Sequence, residues 1–275
     1  MFDKLKRWLN IPGGHGTPVP AELWARIEAR LPFLDWLPDE ARPRLRALSE
    51  DFLTEKEFYG ARGLQLDDEI MLTIAVQACL PILNHRGLAA YRGWVGIVVY
   101  PGDFVVPQKT MDDAGVVHEY EEILLGEARE DGPVLLAWFD DGAPPGVNVV
   151  IHEFAHKLDM ADNGGDAPGC PVLPPGMSRR AWAKTFSAAY ERLCRLEDAG
   201  IETILDPYAT TNPGEFFAVA SEAFFETPMR LRADFPAVYA QLVMFYGLDT
   251  AANEEKLRDT CLATETVALR RPSRL

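Results

Sequence analysis

Val150-Ile151-His152-Glu153-Phe154-Ala155-His156-Lys157-Leu158-Asp159 carries a structural pattern and a chemical one together. Val147, Val150, Ile151, Phe154 and Leu158 recur at helical spacing, which predicts an amphipathic helix over 147–160 with this face packed on a sheet. His152 and His156 are about 400° apart at roughly 100° per residue, so they project a turn apart from the other face and can share one ion. Glu153 stands beside them, giving the H-E-x-x-H arrangement of two metal ligands and a carboxylate base. With five His and 22 Glu among 275 residues, random order would produce the motif in about one such sequence in a hundred. Asn163-Gly164-Gly165 supplies a helix stop.

Upstream of this helix, Trp94–Tyr100, Phe104–Pro107, Val116–Leu125 and Val134–Phe139 read as strands, being β-branched and aromatic runs between Gly/Pro turns. The last of these offers an edge to an extended peptide. Residues 21–92 show helical spacing (Leu23/Ile27/Leu31, Ile70/Ile74/Leu80) broken by Pro32, Pro38 and Pro81. Downstream, helices are expected near Arg179–Ala199, Pro213–Glu226, Phe235–Tyr246 and Glu254–Thr264, with Asp162–Met177 as a loop. The expected class is α+β, a small mixed sheet between helical layers. The expected division is an arm over 1–18, one domain over 19–264 (helical to 92, sheet and catalytic from 93) and a tail over 265–275.

Composition narrows the function. Twenty-seven Lys and Arg against 42 Asp and Glu leave a net charge of −15, so phosphate backbones and anionic membranes would be repelled. Nucleic acid and membrane are not expected partners. The first ten residues are basic and amphipathic but lack an apolar h-region, and no apolar run reaches the ~20 residues of a membrane span. Four dispersed cysteines without a CxxC pair fit free thiols in a reducing cytoplasm. Trp94, Trp138 and Trp182 are expected in the core.

Two imidazoles leave a catalytic zinc one protein ligand short. Glu215 is one candidate, in the first turn of a helix opened by Asn212-Pro213-Gly214. Glu222, seven residues on and on the same face, is another, as ligand or as support for one. Asp162 is the third, at the position a metzincin would use, although Asp159 replaces the Gly needed there for the chain to turn back. Asp159 itself reads equally as an orienting group or as a solvated cap.

His152-Glu153-x-x-His156-Lys157-Leu158-Asp159-Met160, followed by Asp206-Pro207-Tyr208-Ala209-x-Thr211-Asn212-Pro213-x-Glu215-x-Phe217-Ala218-Val219-x-Ser221-Glu222-x-Phe224-Phe225, resembles the Mlc titration factor A family of glucose-regulated bacterial zinc peptidases. Tyr100-Pro101-Gly102, Gly126-Glu127-Ala128 and Gly132–Trp138 extend the resemblance to roughly residues 90–246. It implies a zincin-like fold with a core similar to the catalytic domain of anthrax lethal factor, and a cytoplasmic zinc peptidase of aminopeptidase type acting on small peptides. His152, His156 and Glu215 would hold one Zn2+ per chain, Glu153 would be the general base, and Tyr208 would face the reacting carbonyl. A glucose-responsive transcriptional repressor is the implied protein partner. The rival reading is a protein that sequesters such a regulator and uses zinc mainly for structure.

Overall fold

A computed structural model of the chain describes residues 19–111, 117–139, 147–161 and 168–269. The arm over 1–18, Asp162 and the Asn163-Gly164-Gly165 stop lie outside the described residues. Three helices come first, α1 (Ala21–Arg30), α2 (Arg42–Glu55) and α3 (Asp68–Cys79), with 3-10 turns at Pro32–Trp36 and Gly87–Tyr91. The strands follow as β2 (Gly96–Pro101), β3 (Phe104–Met111), β4 (Val117–Leu124), β5 (Gly126–Ala128) and β6 (Val134–Trp138). Then come α4 (Val149–Met160), α5 (Arg179–Asp198), a 3-10 turn at Pro207–Thr210, α6 (Pro213–Glu226), α7 (Pro228–Asp234), α8 (Pro236–Tyr246) and α9 (Thr250–Leu269). This is a mixed α+β architecture with a small mixed sheet.

One strand, β1 (Glu57–Gly60), falls inside the stretch expected to be helical. Only Phe58 of its four residues is buried, so there is no apolar alternation to announce it. It exists because β2 supplies a parallel partner, from Glu57 opposite Gly96 to Gly60 opposite Val99. The sheet order is β1-β2-β6-β5, with β2 and β6 parallel and β5 antiparallel to β6. β6 is therefore interior, which corrects the edge expected at Val134–Phe139; the edges are β1 and β5, and β5 is the one beside α4. The β6 sequence explains its interior place: Val134 and Leu136 face the main core while Leu135 and Ala137 pack under Phe104 in a smaller one, and a strand covered on both faces reads as a continuous apolar run. β3 and β4 form a separate two-stranded antiparallel ribbon.

α4 starts where Asn148 accepts a hydrogen bond from the Ile151 N–H at 2.9 Å, a cap worth about 1 kcal/mol. Its inner face buries Ile151, Phe154 and Leu158. The Phe154 ring meets Tyr91, Phe52 and Trp94 at centroid distances of 5.1, 5.6 and 5.8 Å, and truncating it to alanine would cost about 3–5 kcal/mol. Val147 lies ahead of the helix and lines a cavity with Val149 rather than joining that face. Trp94 and Trp182 are buried as expected, whereas Trp138 is only partly buried, with Arg30 over its ring at 5.5 Å.

Two buried lysines brace this region. Lys56 Nζ donates to the Tyr91 and Trp94 carbonyls at 2.6 and 2.8 Å. Lys157 Nζ donates to the carbonyls of Arg129 and of Gly132, the latter at 2.9 Å. Both ammonium groups sit over the Trp94 ring, at 3.9 and 4.6 Å, where the indole quadrupole favours cations. Lys157 thereby ties the turn after β5 to the helix that carries the histidines.

Candidate metal centre

α6 is apolar almost all round, with Phe216, Phe217, Phe224 and Phe225 all buried, so its carboxylates stand out. Asn212 caps it by accepting from the Gly214 and Glu215 N–H groups at 2.8 and 3.1 Å, and Pro213 opens the first turn. This local geometry aims Glu215 at α4. Glu215 Oε2 lies 2.9 Å from His152 Nε2 and 3.1 Å from His156 Nε2, and the two Nε2 atoms are 3.1 Å apart. Among the described residues, these three are the group of side chains placed to share an ion.

Glu222 does not join that triangle. Its Oε1 accepts a hydrogen bond from the His152 Nδ1–H at 2.7 Å, and its Oε2 accepts one from the Asn148 N–H. Because a carboxylate can only accept here, Nδ1 carries the hydrogen and neutral His152 presents its Nε2 lone pair to the Glu215 oxygen. Lone pair against lone pair at 2.9 Å requires a cation or a proton between them. The triangle edges are slightly inside the roughly 3.3 Å separating ligands that lie ~2.0 Å from one tetrahedral ion. The donor set therefore fits zinc. Without an ion, burial disfavours charge on His152, but hydrogen bonds to Glu215 and Glu222 outweigh it and raise the imidazole to about 10. Burial likewise works against the Glu215 carboxylate, and its hydrogen bonds to both imidazoles overcome it, lowering the group to about 2.

Glu153 is buried, and that burial, only partly offset by the two histidines, raises its carboxyl to about 7. It accepts a hydrogen bond from the Ala128 backbone on β5. Gly126 on the same strand makes the approach possible, since a Cβ there would lie 2.3 Å from Glu153 Oε1. Tyr208 is 44% exposed, and its ring centroid is 6.1 Å from that of His152. A cavity of about 160 Å³ joins these groups, bounded by His152, Glu153, Tyr208 and Glu222 together with Asp206 and an apolar wall. The five residues expected at the site are thus brought together.

Asp159 is buried near the end of α4. Its Oδ2 accepts from the Gly169 N–H at 2.6 Å, anchoring the chain before α5 to α4. Two contributors escaped the sequence reading. Asn148 caps α4, positions Glu222, and donates to Gln77 on α3 at 2.7 Å and Glu226 on α6 at 2.8 Å. Gly126 acts by having no side chain. The N-cap rule identifies Asn148 as a cap, but only its partners 71 and 78 residues away reveal the rest.

Comparison with known proteins follows the same lines. The profile of the family described as glucose-regulated metallo-peptidase M90 matches residues 6–247. An uncharacterized protein of Synechocystis sp., slr2042, is 37% identical over 242 residues, 86% of this chain and 87% of its own length. Mlc titration factor A of Cronobacter sakazakii is 37% identical over 238 residues, covering 85% and 87% of the two chains. That of Escherichia fergusonii is 37% identical over 222 residues, covering 79% and 83%.

Proposed function

We infer the activity from one premise: the chain belongs to the glucose-regulated metallo-peptidase M90 family. It is a zinc-dependent peptidase of aminopeptidase type, with a zincin-like catalytic core and one Zn2+ held by His152, His156 and Glu215. The observation that carries this reading is the convergence of those three ligand atoms beside a buried carboxylate, Glu153, that is not among them.

When bound, the zinc supplies Lewis acidity, polarising a peptide carbonyl and making a water easier to deprotonate. Glu153, whose burial disfavours its charged form and so strengthens it as a base, takes the proton of the attacking water and passes it to the leaving amine. The Ala128 N–H holds that carboxylate in place. The Tyr208 hydroxyl, at the cavity wall, donates to the oxyanion that develops, and its loss costs about 10²-fold if it acts as other such donors do. Glu222 fixes the His152 ring and its tautomer. β5, the edge strand that reaches Glu153, is where an extended substrate adds.

Glu153→Gln is the test. It should keep one zinc per chain by elemental analysis and lose peptide-amide hydrolysis by several orders of magnitude. Retained turnover, or the absence of zinc from a protein purified without added metal that also binds none on addition, would reject the reading. No helix among the described residues is long and apolar enough to cross a membrane, and we place the protein in the cytoplasm. The relatives' name, Mlc titration factor A, favours a second reading in which the chain binds a transcriptional repressor and zinc serves structure. A purely structural site has no use for Glu153, so under that reading Glu153→Gln would leave binding intact and there would be no hydrolysis to lose.

A further inference from the structure

The cavity beside the metal centre has one carboxylate whose purpose the mechanism leaves open. Both oxygens of Glu222 are committed, to His152 Nδ1 and the Asn148 N–H. Glu153 is buried and held by Ala128. Asp206 differs: it is exposed, lines the cavity, and uses Oδ1 to accept the Tyr208 N–H at 2.8 Å. Among the described residues nothing bonds to its Oδ2. No Lys or Arg lines the cavity, so the polar end of this space favours a cationic ligand group. The apolar part of the lining is Leu125, Val147, Val149 and Val219.

We propose that Asp206 anchors the free α-ammonium group of the substrate, so that this protein takes peptides by their N-terminus, with the first side chain seated on the apolar wall. The inference rests on the peptidase reading above and assigns the residue that makes it an aminopeptidase. Placement supports the pairing. Asp206 and Tyr208 belong to one short 3-10 turn, Asp206 as its cap and both at the cavity wall, held together by the bond from the Tyr208 N–H to Asp206 Oδ1. Ammonium and carbonyl oxygen can thus be gripped by the same rigid segment. Size points the same way: about 160 Å³ is well below the roughly 300–1,000 Å³ of pockets that engulf drug-sized ligands, and suits one residue with an aliphatic side chain.

The test compares leucine 4-nitroanilide with its N-acetyl analogue on the full, zinc-loaded chain, in wild type and in Asp206→Asn and Asp206→Ser. Both variants keep an oxygen for the Tyr208 N–H and remove the charge. The wild type is expected to favour the unblocked substrate by 100-fold or more in kcat/KM. Each variant is expected to lose about 10–100-fold on that substrate, mainly through KM, as fits a lost charge-assisted bond. Hydrolysis of the acetylated analogue should stay within about twofold, zinc content should be unchanged, and Asp206→Glu should recover part of the loss. A wild type that cleaves both substrates equally, or variants that slow both alike, would overturn the anchor while leaving the peptidase reading in place. A wild type that cleaves neither compound, nor any member of a peptide mixture, would bring down both.

Discussion

Gly126→Ala adds one methyl group to the edge strand and offers the sharpest test of how Glu153 is placed. The new Cβ would lie 2.3 Å from Glu153 Oε1, 2.6 Å from Cγ and 2.7 Å from Cδ. Ordinary van der Waals contact begins near 3.4 Å, so the carboxylate must retreat by about 1 Å or β5 must bulge. Gly126 has no positive φ, so alanine brings no backbone strain and the effect is purely steric. Overpacking of this kind costs about 1–3 kcal/mol of stability. Displacing a catalytic group by 1 Å costs about 10²-fold in rate. The expected outcome is a kcat near 1% of wild type with zinc content unchanged, measured by steady-state kinetics and elemental analysis side by side. Glu153→Asp, shorter by one methylene, makes room for the methyl group. The Gly126→Ala/Glu153→Asp double variant should therefore be less impaired than the product of the single effects. Activity within twofold of wild type for Gly126→Ala, or strictly multiplicative losses in the double variant, would refute the argument.

Other outcomes follow from the same geometry. Glu215→Ala should lower zinc affinity sharply in a chelator titration, whereas Glu222→Ala should weaken it only about 10–100-fold, as expected for loss of a ligand's orienting partner; the reverse order would reject the ligand set. Because burial disfavours the charged form of Glu153 and the group must be deprotonated to act, kcat/KM should rise with pH to a plateau, and Glu153→Gln should abolish that limb. In the metal-free protein, His152 is raised to about 10; its stabilisation is full below the unfolded value of about 6.5 and is lost as pH climbs toward 10. Glu215, lowered to about 2, contributes above its unfolded value of about 4.5 and loses that as pH falls toward 2. Metal-free melting temperature should therefore fall on the alkaline side, and zinc should flatten that fall by replacing the proton. Lys157→Met should lower the melting temperature by several degrees, because buried carbonyls lose their donor at about 1–3 kcal/mol; an unchanged melting curve would show the bracing to be dispensable.

The helices that carry the site could be read from the sequence because each announces itself locally. α4 has its apolar period, and α6 begins at Asn212-Pro213 and matches the expected 213–226. What could not be read depended on partners distant in the chain. β1 needs β2, and the interior place of β6 needs β5 to fold back on it. The choice between Glu215 and Glu222 is another such case, since both share a helix face, and the structure separates them by which imidazole atom each meets. α7 was missed because seven residues bracketed by Pro228 and Pro236 are too few to show a period. Tyr208 was expected at the site only through family resemblance, because nothing about a tyrosine after a proline distinguishes a surface residue from one facing a reacting carbonyl.

The hub at Asn148 bears on how the centre comes into being during folding. Its side chain and backbone reach α3, α4 and α6 at once, and the Glu215 oxygen that completes the triangle comes from 59 and 63 residues beyond the histidines. An early intermediate with α4 formed alone would carry two imidazoles free to swing and no third ligand. Tight metal capture therefore waits for the long-range docking of α6 against α4 and cannot template the steps that precede it. Refolding followed by a zinc dye should show metal uptake lagging helix formation, with ion concentration altering the unfolding rate far more than the refolding rate.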